Sequence, residues 1–135
     1  MKSKLPKRKR IRLLHKKLWK LTSLYVRTIE GGKCFTCPTR KPVSECHCGH
    51  YYDASVSNPQ LNFDLRNLHC QCPDCNLFKS GNKVVYAYNL TKKYGSQILD
   101  DLMALKNQVI KWSPEIYEEK IAEMEKLNVQ KNILL

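Results

Sequence analysis

The spacing of apolar residues predicts a mostly helical chain with a short extended region in its middle. From residue 11 to about residue 28, apolar side chains recur every three or four positions, which is the spacing of one face of an amphipathic helix. Gly31 and Gly32 follow, and glycine commonly ends a helix because it adopts the left-handed conformation easily. The apolar positions of this first predicted helix are Leu14, Leu18, Leu21 and Tyr25.

Three more helices are predicted in the second half of the chain, where glycine, serine and proline mark their ends. Gly95 ends the first of them, and Ser96 is expected to cap the second. Ser113 and Pro114 predict the start of the last, since serine is a favoured cap and proline a favoured first helical residue. The expected bounds are about 83–93, 97–105 and 114–127.

Between the helices, two short strands or extended segments are predicted at 43–52 and 61–70, with a turn at Asn58-Pro59. A further helix is expected to open at Asp74. A chain of 135 residues with these elements predicts a single α+β domain, mostly helical, with a short two-stranded hairpin. A domain of this size has a modest core and gains stability from a bound metal.

Two Cys-x-x-Cys pairs offer a site for such a metal. The seven cysteines cluster between residues 34 and 75, whereas the cysteines of a small disulfide scaffold spread over the whole fold. This clustering, the odd number and the lack of an apolar leader predict reduced thiols in the cytoplasm. Four thiolates in two knuckle turns are the ligand set of one structural zinc ion per chain. The predicted zinc ligands are Cys34, Cys37, Cys72 and Cys75.

The other three cysteines, Cys46, Cys48 and Cys70, lack the spacing of a zinc knuckle. Two interpretations stay open for them. They can be small buried apolar side chains, which is common for free cysteines. Alternatively, Cys70 and His47 can contribute to a second metal site.

The net charge of +12 is concentrated near the N-terminus, where residues 1–20 hold ten Lys or Arg and no acidic residue. Such a block predicts binding to nucleic acid through phosphate contacts, with an affinity that falls as salt rises. The alternatives are a solubilising tail, a membrane-surface helix, or binding to RNA instead of DNA. No segment is apolar enough to span a membrane. The expected DNA contacts are Lys7, Arg8, Lys9, Arg10, Arg12, Lys16, Lys17, Arg66 and Lys79.

Several motifs follow one another around the cysteines. They are Cys34-x-x-Cys37-x-Thr39, Gly49-His50-Tyr51, Arg66-Asn67-x-His69-x-Gln71-Cys72-x-x-Cys75-Asn76 and Lys79-Ser80-Gly81-Asn82. In these residues the chain resembles the NinG/Rap recombination proteins of lambdoid phages. The segment 67–80 also resembles the second half of the HNH ββα-metal motif. The likeness covers roughly residues 18–127, most of the chain except the basic arm.

This resemblance implies a small zinc-stapled, HNH-like ββα-metal core flanked by helices. It also implies a structure-selective, divalent-metal-dependent DNA endonuclease that cuts branched recombination intermediates, such as Holliday junctions and D-loops. Carried over to this chain, His50 is the general base, Asn67 orients its imidazole, and Asn76 is a ligand of a catalytic Mg²⁺ or Mn²⁺. The alternative is a non-catalytic, zinc-binding DNA-binding or regulatory protein with the same fold.

The second ligand of the catalytic metal is less evident from the sequence. Many HNH enzymes carry Asp, Glu or His directly before the base, but this chain has Gly49 there. His47 lies on the same face of the predicted strand as position 49 and can take this role. Asp64 and Asp53 are two further candidates, because carboxylates suit Mg²⁺ and Mn²⁺.

The expected organisation is a basic disordered arm (1–10), a basic amphipathic helix (11–30), a zinc-knuckle nuclease core (31–82) and C-terminal helices (83–135), all within one domain. Resolving a junction takes two nicks, so a homodimer formed through the C-terminal helices is expected. The expected location is the cytoplasm, that of the host cell if a phage encodes the chain.

Overall fold

The computed structural model of the chain describes residues 5–53, 55 and 57–133. Within these residues the chain is mostly helical, with one pair of antiparallel strands. Three short turns of helix lie between the longer elements: 3₁₀ turns at Val43–Glu45 and Leu65–Asn67, and a π-helical turn at Asp74–Phe78. The longer elements are α1 (Lys7–Ile29), β1 (His47–His50), α2 (Pro59–Asn62), β2 (Leu68–Gln71), α3 (Lys83–Tyr94), α4 (Ile98–Lys106) and α5 (Pro114–Gln130).

The chain forms two compact units. One unit comprises Met1–Tyr25 and Trp112–Leu135, and the other comprises Val26–Lys111. The C-terminal helices are divided between these two units. Helices α3 and α4 belong with the cysteine-rich region, whereas α5 belongs with most of α1.

In the first unit, α1 begins at Lys7, so the arm predicted to be disordered over 1–10 is helical in its last residues. Residues 1–4 of that arm lie outside the described part of the chain. Leu18 and Leu21 are buried, as the periodicity predicts. The main-chain carbonyl of Leu21 accepts a hydrogen bond from Asn128 on α5 at 3.4 Å. Ser113 caps α5 as expected, by accepting from the backbone N–H of Ile116 at 3.3 Å.

In the second unit, the two strands pair antiparallel, with Cys48 opposite Cys70 and His50 opposite Leu68. Both strands are shorter than predicted. Pro59 occupies the first turn of α2, and Asp64 caps the following 3₁₀ turn by accepting from the backbone of Arg66 at 2.9 Å. These local interactions fold most of the predicted second extended segment into helical turns.

Helices α2, α3 and α4 pack together through one apolar cluster. Its buried members are Leu61, Tyr86, Leu90, Ile98 and Leu102, none of them more than 3% exposed. The Tyr86 hydroxyl donates to the carbonyl of Gly49 at 2.7 Å, so the cluster fixes β1 directly. The predicted Ser96 cap is wrong: Gln97 directly precedes α4, and no side chain caps that helix.

In the described part of the chain, no helix combines the length and the apolar composition that crossing a bilayer requires.

Candidate metal centre and active site

The four predicted zinc ligands come together. The sulfur atoms of Cys34, Cys37, Cys72 and Cys75 all lie within 4.8 Å of one another, and no other group of three or more such ligands exists among the described residues. Cys37 Sγ and Cys72 Sγ are 3.7 Å apart. A tetrahedral zinc site with metal–sulfur bonds of about 2.3 Å has sulfur–sulfur edges of about 3.8 Å. The cluster thus has the donors and the spacing to hold a zinc ion.

The thiols of this cluster differ in acidity. Burial by itself raises the pKa of Cys37, but hydrogen bonds from the side chain and backbone of Thr39 outweigh it and lower that pKa to about 6. Burial raises the pKa of Cys72 to about 12. Binding of zinc therefore has to release protons from the cluster, because only thiolates bind the metal.

The loop from Ser80 to Asn82 connects the cluster to α3. Ser80, Gly81 and Asn82 all have positive φ, between 49° and 88°. Asn82 donates to the carbonyl of Thr36 at 3.1 Å and to the sulfur of Cys75 at 3.7 Å. These contacts make Asn82 a support of the cysteine cluster.

The three remaining cysteines are buried apolar side chains. Cys46 donates through its thiol to the carbonyls of Gly32 and Pro42, both at 3.4 Å. Burial raises the pKa of Cys48 to about 12. The pKa of Cys70 is also raised, mainly by burial and secondly by the contact with Cys46. None of the three belongs to a cluster of three or more metal-ligating side chains among the described residues, so the expected second metal site does not form there.

His50 lies at the end of β1 with a half-buried imidazole. Burial is the largest influence on this ring and lowers its pKa below the usual value of 6.5. Nε2 lies 3.2 Å from the carbonyl oxygen of Asn62. Because a carbonyl only accepts, Nε2 carries the proton, and Nδ1 carries the lone pair of the neutral ring. The imidazole is therefore mostly neutral at neutral pH.

A cavity of about 280 Å³ opens beside His50, and Asp53, Asn76, Ser80 and Lys83 are among the residues that line it. Lys83 donates through Nζ to the carbonyl of His50 at 2.6 Å, and its Nζ lies 3.5 Å from Asp53 Oδ1. The sequence reasoning missed Lys83, which directly follows the Lys79-Ser80-Gly81-Asn82 motif. The cavity brings together an imidazole, an amide, a carboxylate and an ammonium group.

Asn67 does not contact the imidazole of His50 in the way the sequence predicts. Its side chain is fully buried; Oδ1 accepts from the backbone N–H of Tyr52 at 2.9 Å, and Nδ2 donates to the carbonyl of Tyr52 at 3.0 Å. The carbonyl of Asn67 accepts from the N–H of Tyr51 at 3.0 Å. Asn67 therefore fixes the backbone that follows His50.

Asn76, which lines the cavity, contacts His47 at the start of β1. Asn76 Nδ2 lies 2.9 Å from His47 Nδ1 and donates to it. This contact orients Asn76, and the expectation that His47 binds the catalytic metal stays a prediction. Gly49 has no room for a side chain, because a Cβ there would lie 1.9 Å from Gln71 Oε1. The glycine before the base is thus a packing requirement.

Asp64 is not brought to the cavity. Its carboxylate accepts from the backbone of Arg66 at 2.9 Å and from the guanidinium of Arg66 at 2.8 Å. Asp53 is the carboxylate that lines the cavity, with a side chain 93% exposed. The ion pair with Asp64 also engages the side chain of Arg66, which was predicted to contact DNA.

His69 is a buried structural residue. Its Nδ1 lies 2.8 Å from a carboxylate oxygen of Glu30, and its ring stacks on Phe35 with a centroid distance of 3.9 Å. The other oxygen of Glu30 accepts from the backbone N–H of Cys70 at 3.0 Å. These contacts connect the end of α1 to β2.

The predicted basic surface lies on α1, apart from Arg66 and Lys79. Arg10 forms an ion pair with Glu118 at 2.8 Å, and Lys79 lies 3.8 Å from Asp74. The other predicted DNA contacts are exposed: Lys7, Arg8, Lys9, Arg12, Lys16 and Lys17.

Similar proteins occur among phages of enteric bacteria. The protein ninG of Escherichia phage 933W is 37% identical over 82 residues, which are 61% of this chain and 39% of that protein. The protein ninG of Escherichia phage lambda is 36% identical over 75 residues, which are 56% of this chain and 36% of that protein. The protein ninG of Salmonella phage P22 is 39% identical over 69 residues, which are 51% of this chain and 33% of that protein. The matched region thus spans under half the length of these relatives.

No solved structure matches the chain. The family model described as bacteriophage lambda NinG protein matches residues 1–132, almost the entire chain. The order of the cysteine, histidine and asparagine motifs had suggested the same assignment. The chain belongs to the NinG family.

Proposed function

We propose that this chain is an HNH-like, divalent-metal-dependent DNA endonuclease that cuts branched recombination intermediates such as Holliday junctions and D-loops. The observation that carries the proposal is the cavity in which neutral His50 meets Asn76, Asp53 and Lys83. An antiparallel strand pair followed by the helical turn Asp74–Phe78 supports the ββα-metal arrangement that the motifs imply.

His50 acts as the general base and takes a proton from the attacking water. Asn67 holds the following backbone at Tyr52 and so keeps the imidazole at the cavity. The oxygen of Asn76 and the carboxylate of Asp53 are hard donors suited to Mg²⁺ or Mn²⁺. When bound, such a cation stabilises negative charge on the phosphate and on the leaving oxygen. Lys83 adds a positive charge to the wall of the cavity.

Exposed apolar side chains near the cavity favour a substrate with unpaired bases. Phe78 is 83% exposed and Val84 is 86% exposed, and both flank the Lys79–Lys83 segment that reaches the cavity wall. Such side chains stack on or insert between unpaired bases. Tyr51 and Tyr52, in contrast, pack partly buried against the apolar cluster. Phe78 and Val84 thus support a branched substrate.

We retain the homodimer in the proposal, because two nicks resolve a junction. Tyr117, Ile121 and Met124 on α5 are buried within a single chain and therefore do not supply the dimer surface. Recombination of phage DNA places the protein in the cytoplasm of the host cell. Light scattering of the protein, free and bound to a junction, measures the number of copies.

Cutting of a four-way junction tests the proposed activity. The zinc-loaded protein is incubated with a labelled junction or the matching linear duplex, without added cation or with Mg²⁺ or Mn²⁺. Cation-dependent cutting of the junction is expected, and His50→Ala should slow it by about 100-fold or more, the usual range for loss of a general base. His15→Ala, a change on α1, is the matched control and should retain activity.

Junction binding without any cutting, identical in the protein and in His50→Ala, would overturn the proposed activity. That outcome would favour the second candidate, a zinc-binding DNA-binding protein without catalysis. The exposed basic side chains of α1 are the observation that would support it.

A further inference from the structure

Gln71, at the end of β2, is fully buried beside the candidate site. Its Nε2 donates to Thr36 Oγ1 at 3.0 Å and to the carbonyl of Gly81 at 2.8 Å. Because that carbonyl only accepts, the orientation of the amide is fixed. Its oxygen then faces the other way and has no hydrogen-bond partner among the described residues. A buried acceptor without a partner destabilises the fold by about 1–3 kcal/mol, so a bound ligand that interacts with this oxygen would be stabilising.

The oxygen of Gln71 occupies the space that a side chain at position 49 would fill. A Cβ on Gly49 would lie 1.9 Å from Gln71 Oε1 and 3.1 Å from Asn76 Oδ1. Since these distances share one end point, the two oxygens lie at most about 5 Å apart. One divalent cation with metal–oxygen bonds of about 2.1–2.6 Å joins two oxygens up to about 4.2–5.2 Å apart. Position 49 is where many HNH enzymes place a metal ligand.

The orientation of Asn76 completes the arrangement. Its Nδ2 donates to His47 Nδ1 at 2.9 Å, which turns its oxygen toward Gly49 and Gln71. Two amide oxygens thus converge, and the nitrogen of each amide is already engaged elsewhere. We propose that Gln71 Oε1 and Asn76 Oδ1 together bind the divalent cation, so that Gln71 supplies the ligand that Gly49 lacks. The use of this cation in catalysis rests on the proposed function; its binding does not.

One competing arrangement rotates the Asn76 amide by half a turn, so that Nδ2 donates to Gln71 Oε1. Asn76→Asp separates the two arrangements, because aspartate has no N–H to donate. If the two oxygens bind a cation, the added charge strengthens binding. If the amides bond to each other, the variant places two acceptors in contact and loses stability with no gain in cation affinity.

The test is the binding of Mn²⁺ to the zinc-loaded chain without DNA, followed by the electron paramagnetic resonance of free Mn²⁺. Asn76→Asp and Gln71→Glu should each tighten binding by about tenfold or more, because carboxylates are stronger ligands than amides. Gly49→Ala should weaken it, since the new Cβ displaces the oxygen of Gln71. Gln60→Glu is the matched control: Gln60 Oε1 is also buried without a partner, but on α2.

Equal Mn²⁺ affinity in the protein, Asn76→Asp and Gly49→Ala would overturn the proposal. Asn76→Asp and Gly49→Ala decide the question even if Gln71→Glu fails to fold after losing its donors to Thr36 and Gly81. Tightened Mn²⁺ binding without junction cutting would support the site and refute the nuclease. Junction cutting, together with an Mn²⁺ affinity that is the same in the protein and in all the variants, would support the nuclease and refute the role of Gln71.

Discussion

The imidazole of His50 is the residue on which the proposed chemistry depends, and its burial sets the pH range in which it works. Burial lowers the pKa of His50 below 6.5, so the ring remains neutral, and able to accept a proton, under more acidic conditions than an exposed histidine. Activity should therefore be lost only as the pH falls through this lowered pKa. Single-turnover cutting of a junction, measured from about pH 5 to pH 8, should show an acid limb centred below 6.5.

The residual activity of His50→Ala should lack this acid limb, because no other imidazole lines the cavity among the described residues. A limb centred above 6.5 in the unmodified protein would contradict the prediction. It would indicate that a carboxylate near His50, such as that of Asp53, outweighs the effect of burial.

Single residues were predictable where their chemistry depends on neighbours in the sequence. The two-residue spacing within each cysteine pair is local, and it identified the cluster of four thiols correctly. Asp64 also pairs locally, with Arg66. The tendency of Asp to accept a hydrogen bond from the backbone N–H two residues later could have indicated this contact. The contact of Asn67 with Tyr52 depends on tertiary packing across 15 residues, and no local pattern indicates it.

A zinc ion held by the four cysteines would stabilise the arrangement of several elements at once. Cys34 and Cys37 follow α1, whereas Cys72 and Cys75 follow β2, so one ion would connect segments more than 30 residues apart. Removing zinc with a chelator should lower the free energy of unfolding by several kcal/mol, since metal binding contributes directly to folding in small domains. Urea unfolding, followed by far-ultraviolet circular dichroism with zinc or with chelator, measures this change.

Cys34→Ser should reproduce the effect of the chelator, whereas Cys46→Ser, which removes a buried thiol outside the cluster, should have a smaller effect. Superimposable urea curves with zinc and with chelator would show that the cluster is stable as free thiols.

The long elements were predictable from periodicity, and the short ones were not. α1, α3, α4 and α5 all appear near their predicted positions, because apolar residues repeated at helical spacing over several turns leave one face to bury. Between 43 and 67 the chain forms the short strand β1 and, on either side of it, helical turns of three or four residues, whose conformation depends on single caps and on contacts with α4. A pattern this short does not distinguish a strand from a helical turn.

Over the whole molecule, charge is distributed unevenly, and this pattern was readable from the sequence alone. The ten basic residues within positions 1–20 carry most of the net charge of +12. The division into two units was not predictable, because it depends on α5 associating with α1 across more than 100 residues. The result is that the basic face of α1 and the cavity beside His50 belong to different units.

The salt dependence of DNA binding should identify which charges of α1 contact phosphate. Each phosphate contact adds about 0.9 to the slope of log affinity against log salt, so replacing Lys16 and Lys17 by Gln should reduce that slope by up to about 1.8. Arg10→Gln should reduce it less, because Glu118 already compensates Arg10. Fluorescence anisotropy of a labelled junction without divalent cation measures the slopes, with Lys126→Gln on α5 as the control for net charge. Equal slopes for the Lys16 and Lys17 double variant and the control would show that DNA binds elsewhere, and the basic helix would then serve solubility.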